Sequence, residues 1–140
     1  MKYRRLTMVL GTIVALAVAV TTWGVRTSQA QQPGFKRVQL LQHDLGTPNH
    51  EAVLARGEFS PGAGTPKHSH PGEEVGYVLE GQLVVETEGK PPLTLKAGDV
   101  FFMPAGQVHA AKNTGTTPAK VISTYIVEKG KPLATPVPAK

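Results

Sequence analysis

Residues 62–81 read Gly62-Ala63-Gly64-Thr65-Pro66-Lys67-His68-Ser69-His70-Pro71-Gly72-Glu73-Glu74-Val75-Gly76-Tyr77-Val78-Leu79-Glu80-Gly81. His68 and His70 stand two apart in a stretch without a helical pattern. On an extended backbone that spacing turns both imidazoles to one face. Pro71-Gly72 then turns the chain, so that the Glu74 carboxylate can fold back towards them. A second stretch, residues 98–113, contains Pro104-Ala105-Gly106, a turn that opens the strand carrying His109. Three neutral imidazoles and one carboxylate, brought together, form a donor set for a divalent first-row metal and leave two octahedral positions open. His-x-His alone is more often a surface coincidence than a site. His43 and His50, in polar turn-rich sequence without a spaced partner, read as solvated side chains.

Outward from these two stretches the chain is a series of short segments bounded by Gly, Pro and Asn. Arg37–Leu41, Ala52–Phe59, Val75–Leu79, Gln82–Thr87, Leu93–Leu95, Val100–Met103, Val108–Ala111 and Lys120–Val127 are strand candidates. Glu80-Gly81 reads as a tight hairpin turn between two of them. No amphipathic helix longer than a turn or two appears. Short strands with turns this regularly spaced imply a small all-β sandwich or barrel. Residues 31–36 read as a linker and the Pro-rich residues 131–140 as a frayed tail, leaving 37–130 for the domain.

The spacing is more specific than the histidines themselves. Gly62, five residues, His68-Ser69-His70, three residues, Glu74, six residues and Gly81 make one motif. Gly98, five residues, Pro104-Ala105-Gly106, two residues, His109, three residues and Asn113 make another. This strongly resembles the cupin family, with every motif position filled and 16 residues between the motifs. The resemblance implies an antiparallel jelly-roll barrel with one metal inside a mouth, held by His68, His70, Glu74 and His109. The motif spacing selects Glu74 over Glu73, which alternation places on the opposite face from His70. Iron, manganese, nickel, copper and zinc all suit this donor set. The glycines fall where strands of a small barrel turn sharply, and Asn113 reads as satisfying backbone groups at a strand end.

Length and composition bound the rest. A chain of 140 residues supports one domain, and the absence of Cys removes disulfides, thiolate nucleophiles and Cys-ligated metals. The formal charge of +5 resembles a nucleic-acid signal until it is located. Lys2, Arg4, Arg5 and Arg26 lie in the first 30 residues, leaving 11 basic against 10 acidic residues in the remainder. A basic binding surface is therefore not supported, and nucleic acid is not an expected partner. Residues 1–30 read as a signal peptide: a positive n-region, an uncharged run from Leu6 to Val25, and Ser28-Gln29-Ala30 before Gln31. If uncleaved, the same run is long enough to anchor the chain in a membrane. Both readings export everything after Arg26, to the periplasm or beyond.

Fold and ligands are shared across many cupin activities, so neither decides the chemistry. The expected function is an exported metal-binding cupin, a dioxygenase-like oxidoreductase acting on a small bidentate oxygen ligand, with Glu74 able to accept a substrate proton. A metal-dependent lyase or isomerase and a non-catalytic small-ligand or metal-binding module are the alternatives. Phe59, Tyr77, Phe101, Phe102 and Met103 either line an apolar pocket or form ordinary core. Arg56 and Glu58 alternate on their strand: facing inward they would orient an acidic substrate or act as acid and base, facing outward they are a solvated pair, the commoner arrangement for charged side chains. Single-domain cupins commonly pair, so a homodimer is expected, with Lys120–Val127 offered as an apolar edge strand.

Overall fold

The computed structural model describes residues 32–138, and the signal-peptide reading of 1–30 lies outside the described residues. Two of the three ten-residue strands follow period-2 patterning. β2 (His50–Phe59) alternates half-buried and buried residues along its whole length, and β9 (Ala119–Glu128) does nearly the same. Their inward residues Val53, Ala55, Phe59, Val121, Tyr125 and Val127 are all buried. Removing such apolar surface from water is the main term holding strands face to face.

The remaining strands are β1 (Phe35–Asp44), β3 (His68–Ser69), β4 (Glu73–Glu80), β5 (Gln82–Thr87), β6 (Leu93–Lys96), β7 (Val100–Met103), β8 (His109–Lys112) and β10 (Thr135–Pro136). They form two five-stranded sheets in the orders β1-β2-β9-β4-β7 and β10-β3-β8-β5-β6. Every pairing between them is antiparallel. The chain changes sheet repeatedly as it runs, which is the jelly-roll topology that the sequence implied. Leu83, Val85 and Leu95 from one sheet meet Phe59, Val78, Met103 and Val121 from the other in the core between them.

Four sequence expectations are corrected. Glu80-Gly81 is not a hairpin: β4 pairs with β7 and β9 while β5 pairs with β6 and β8, so the chain crosses between sheets there. Gly81 takes φ 75°, and a Cβ on it would meet Pro118 O at 2.5 Å, so the crossing requires glycine. Lys120–Val127 is not an edge, because β9 is flanked by β2 and β4; β1 and β7 are the edges of that sheet. The linker is shorter than residues 31–36, since Phe35 begins β1 and its ring lies 4.7 Å from that of Phe59. The tail is not frayed over residues 133–137. Ala134 is buried, Thr135–Pro136 pairs with β3, and Val137 N donates to Lys67 O at 2.8 Å.

A candidate metal centre between the two sheets

His68 and His109 face each other directly across the β3–β8 pairing, and His70 follows immediately after β3. Glu74 comes from the opposite sheet, on the inward face of β4 between Met103 and Tyr125. The Pro104–Gly106 turn is tied to this cluster by Gly106 N donating to His70 O at 2.9 Å. The three imidazole centroids lie 4.4–5.1 Å apart, and the ligand nitrogens all lie within 4.8 Å of one another. All four side chains are buried. Glu73 is exposed on the opposite face of β4, as alternation requires.

Each imidazole commits Nδ1 to a main-chain carbonyl. His68 Nδ1 is 2.8 Å from Pro66 O, His109 Nδ1 3.0 Å from Gln107 O, and His70 Nδ1 2.6 Å from Leu133 O. A carbonyl only accepts, so these contacts place the proton on Nδ1 and leave Nε2 for the interior of the site. Carbonyl-fixed tautomers of this kind orient metal-ligating histidines. His70 Nε2 and His109 Nε2 approach Glu74 Oε2 to 3.1 and 3.4 Å. His70 Nε2 is nevertheless buried without an aligned hydrogen-bond partner. A carboxylate facing two ring nitrogens requires positive charge, supplied either by protons on the rings or by a cation between them. The donors present therefore fit a divalent metal.

Electrostatics point the same way. Burial alone would push the Glu74 carboxyl up; the imidazoles of His109 and His70, with the Ser123 hydroxyl, outweigh it and hold the group well below the usual carboxylate range. Burial, assisted by the charges of His109, His70 and Arg37, lowers His68 to about 4 from 6.5. Between those two values the unfolded chain carries a proton at His68 that the folded chain does not, so stability falls as pH drops through that window. Glu74 acts in the same direction at lower pH, its contribution being present above 4.5 and lost as the carboxylate is protonated. The metal-free protein should accordingly melt several degrees lower at pH 4.5 than at pH 7, and His68→Gln should flatten that slope. An equal slope in the variant would remove His68 as its source.

Two neighbouring cavities adjoin the cluster and share part of their lining. The inner one, ≈ 40 Å³, is lined by His68, Glu74 and His109 together with Phe59, Phe101 and Tyr125. The outer one, ≈ 270 Å³, shares Phe35, Arg37 and His68 with it and is also lined by Leu133, Ala134 and Pro136. Of the five residues left open between pocket and core, Phe59 and Phe101 line the inner cavity and Met103 sits in the core. Tyr77 and Phe102 point outward and are exposed. Arg56 and Glu58 pair with each other at 2.7 Å on the outer face of β2, away from the site. Asn113 is fully buried and donates to Phe59 O and Thr117 O while accepting from Gly115 N, the structural role expected of it.

Sequence reading missed Arg37, Ser123, Tyr125 and Leu133. A signal for two of them was present. Ser123 and Tyr125 share the inward face of β9 with Val121 and Val127, and polar groups at inward positions of an apolar strand mark a lined cavity. Leu133 left none, because the group it offers His70 is a main-chain carbonyl.

The cupin domain model matches residues 55–125, half of the chain, including both motifs. The chain belongs to the cupin family. Among curated proteins this cupin is 47% identical over 77 residues to germin-like protein subfamily 2 member 2 of Arabidopsis thaliana, a match covering 51% of this chain and 35% of that protein. It is 36% identical over 80 residues to the oxalate-binding protein of Thermotoga maritima, covering 56% of this chain and 65% of that one. The chain thus spans about a third of the germin-like relative's length and less than two thirds of the oxalate-binding one. Among solved structures, a predicted oxalate decarboxylase from Thermotoga maritima superposes with a TM-score of 0.57 at 32% identity, covering 66% of this chain and 80% of that one.

Proposed function

We propose that this cupin holds one divalent transition metal on His68, His70, Glu74 and His109 and uses it on a small oxygen-rich acid that can bind through two atoms. The three carbonyl-fixed imidazole tautomers converging on Glu74 carry this reading. A metal bound there supplies Lewis-acid polarisation and, for iron, manganese, nickel or copper, electron transfer. The chain's own residues provide the surroundings. Phe59 and Phe101 give the inner cavity apolar walls beside the cluster. Glu74 is the carboxylate beside that space and the group able to take a proton from the ligand at Oε2. Relatives named for oxalate support a small dicarboxylic acid as the ligand.

The reaction proposed is dioxygenase-like oxidation. Uptake of O₂ by protein loaded in turn with iron, manganese, nickel and copper, against oxalate, glycolate, catechol, diketones and flavonols, tests it. Glu74→Gln should lower turnover more than it lowers metal content. Silence across every metal and acid would replace oxidation with non-catalytic ligand capture, a reading that the oxalate-binding relative favours.

Export rests on residues 1–30, and a mature N-terminus at Gln31 in mass spectrometry is its test. The homodimer is reassigned to the outer face of β4 and β7, where Val75 pairs with Phe102 and Tyr77 with Val100, all exposed. A monomer in sedimentation would withdraw that assignment.

A further inference from the structure

Among the residues lining the two cavities there is one Lys or Arg side chain, Arg37, and it lines both. It projects from the inward side of β1, half-buried, next to Phe35. Its guanidinium carbon lies 5.9 Å from the Phe35 ring centroid and 5.7 Å from that of Tyr125. The Tyr125 ring in turn lies 4.8 Å from the His70 imidazole. The guanidinium is therefore one aromatic ring away from the triad. Contact with two aromatic rings holds it in place better than a flexible ammonium could be held.

We propose that Arg37 reads the second carboxylate of a small dianion whose first carboxylate sits at the His68–His70–His109 cluster, so that the site selects dicarboxylates over monocarboxylates. The inference rests on the reading of that cluster as a metal site for oxygen acids. Charge arithmetic supports it. Three neutral imidazoles, the Glu74 carboxylate and a divalent ion sum to one positive charge, and Arg37 adds a second. A dianion presents one carboxylate to each of these two cationic groups, whereas a monoanion presents a carboxylate to only one of them. The guanidinium has five N–H donors in a planar fork, enough to keep its contacts within the fold and still meet a carboxylate with two parallel hydrogen bonds. The outer cavity gives the ligand a way in past Gln39 and Pro66, with Arg37 on the route.

The experiment is calorimetric titration of the full-length, manganese-loaded protein with oxalate, malonate and glycolate, with metal content checked after each titration. In the wild type, oxalate or malonate should bind at least about tenfold more tightly than glycolate, the scale of one charge-assisted pair. Arg37→Gln should erase that preference, weakening the dicarboxylates about tenfold or more while changing glycolate less than about threefold. Arg37→Lys should recover part of it. Manganese affinity, measured by competition with a chelator, should be the same in all three proteins. Equal weakening of all three acids in Arg37→Gln, or no change in any, overturns the role of Arg37 and leaves the metal site standing. Failure of the wild type to retain manganese, or to bind any of the acids when loaded, overturns the metal-and-acid reading itself and Arg37's role with it.

Discussion

His109→Ala should reduce metal retention by at least about 100-fold while the β-barrel survives. Substitutions that merely disturb a ligand's hydrogen-bonding partner commonly cost 10–100-fold in metal affinity, so removal of a ligand sets the lower bound near the top of that range. The barrel survives because its apolar core lies elsewhere, in the clusters around Val53, Leu83 and Val78. Thermal melts with and without added metal separate the two effects. Wild-type protein in about a hundredfold excess of metal over its dissociation constant gains about 2.7 kcal/mol, and the variant should gain almost none. His70→Ala should behave alike. His43→Ala, at an exposed position on β1, should leave the metal-dependent gain intact. An undiminished gain in His109→Ala would remove that residue from the ligand set.

Gly72→Ala is expected to be more damaging than any other alanine substitution at a glycine near the site. A Cβ at residue 72 would stand 1.9 Å from Ile126 O and 3.0 Å from Val127 Cα, both main-chain atoms of β9. A side chain can rotate out of such a clash, but a strand held on both sides cannot. The turn from His70 to Glu74 must lift away from β9, carrying both side chains with it. A loss of about 3 kcal/mol in stability is expected from forced overpacking of this kind, together with loss of metal. Gly46→Ala is the control, since nothing lies within 4 Å of its Cβ position and its φ is not in the left-handed region. Denaturant unfolding and metal analysis of the two variants check both parts, and equal midpoints would show that the turn can adapt.

Local patterning made the strands legible. The alternation of Ala52–Phe59 and of Lys120–Val127, the Gly-Pro punctuation and the fixed distances between His68, His70, Glu74 and His109 are all properties of neighbouring residues. From them the all-β class, the inward face of each long strand and the four converging side chains could be read. The same distances carried the family. Glu74 was separated from Glu73 by the period of a strand and the motif spacing, and its burial agrees.

Long-range geometry decided the rest. Nothing near Gly81 shows that the chain leaves one sheet there for the other, because a tight turn and a crossing use the same residue. The position of β9 within its sheet depends on its pairing with β2 and β4, and no single strand records its neighbours. Arg37 and Tyr125 are far apart in the chain and become parts of one cavity wall only when β1 and β9 join the same sheet. Leu133 is the extreme case: it holds His70 Nδ1 across 63 residues through a carbonyl that every amino acid possesses. Residue identity and spacing are enough to single out His68, His70, Glu74 and His109 and to turn Glu74 rather than Glu73 inward. The tertiary structure decided which tautomer they adopt, which charge faces them and what space they enclose, because those depend on backbone groups and distances that side-chain identity does not encode.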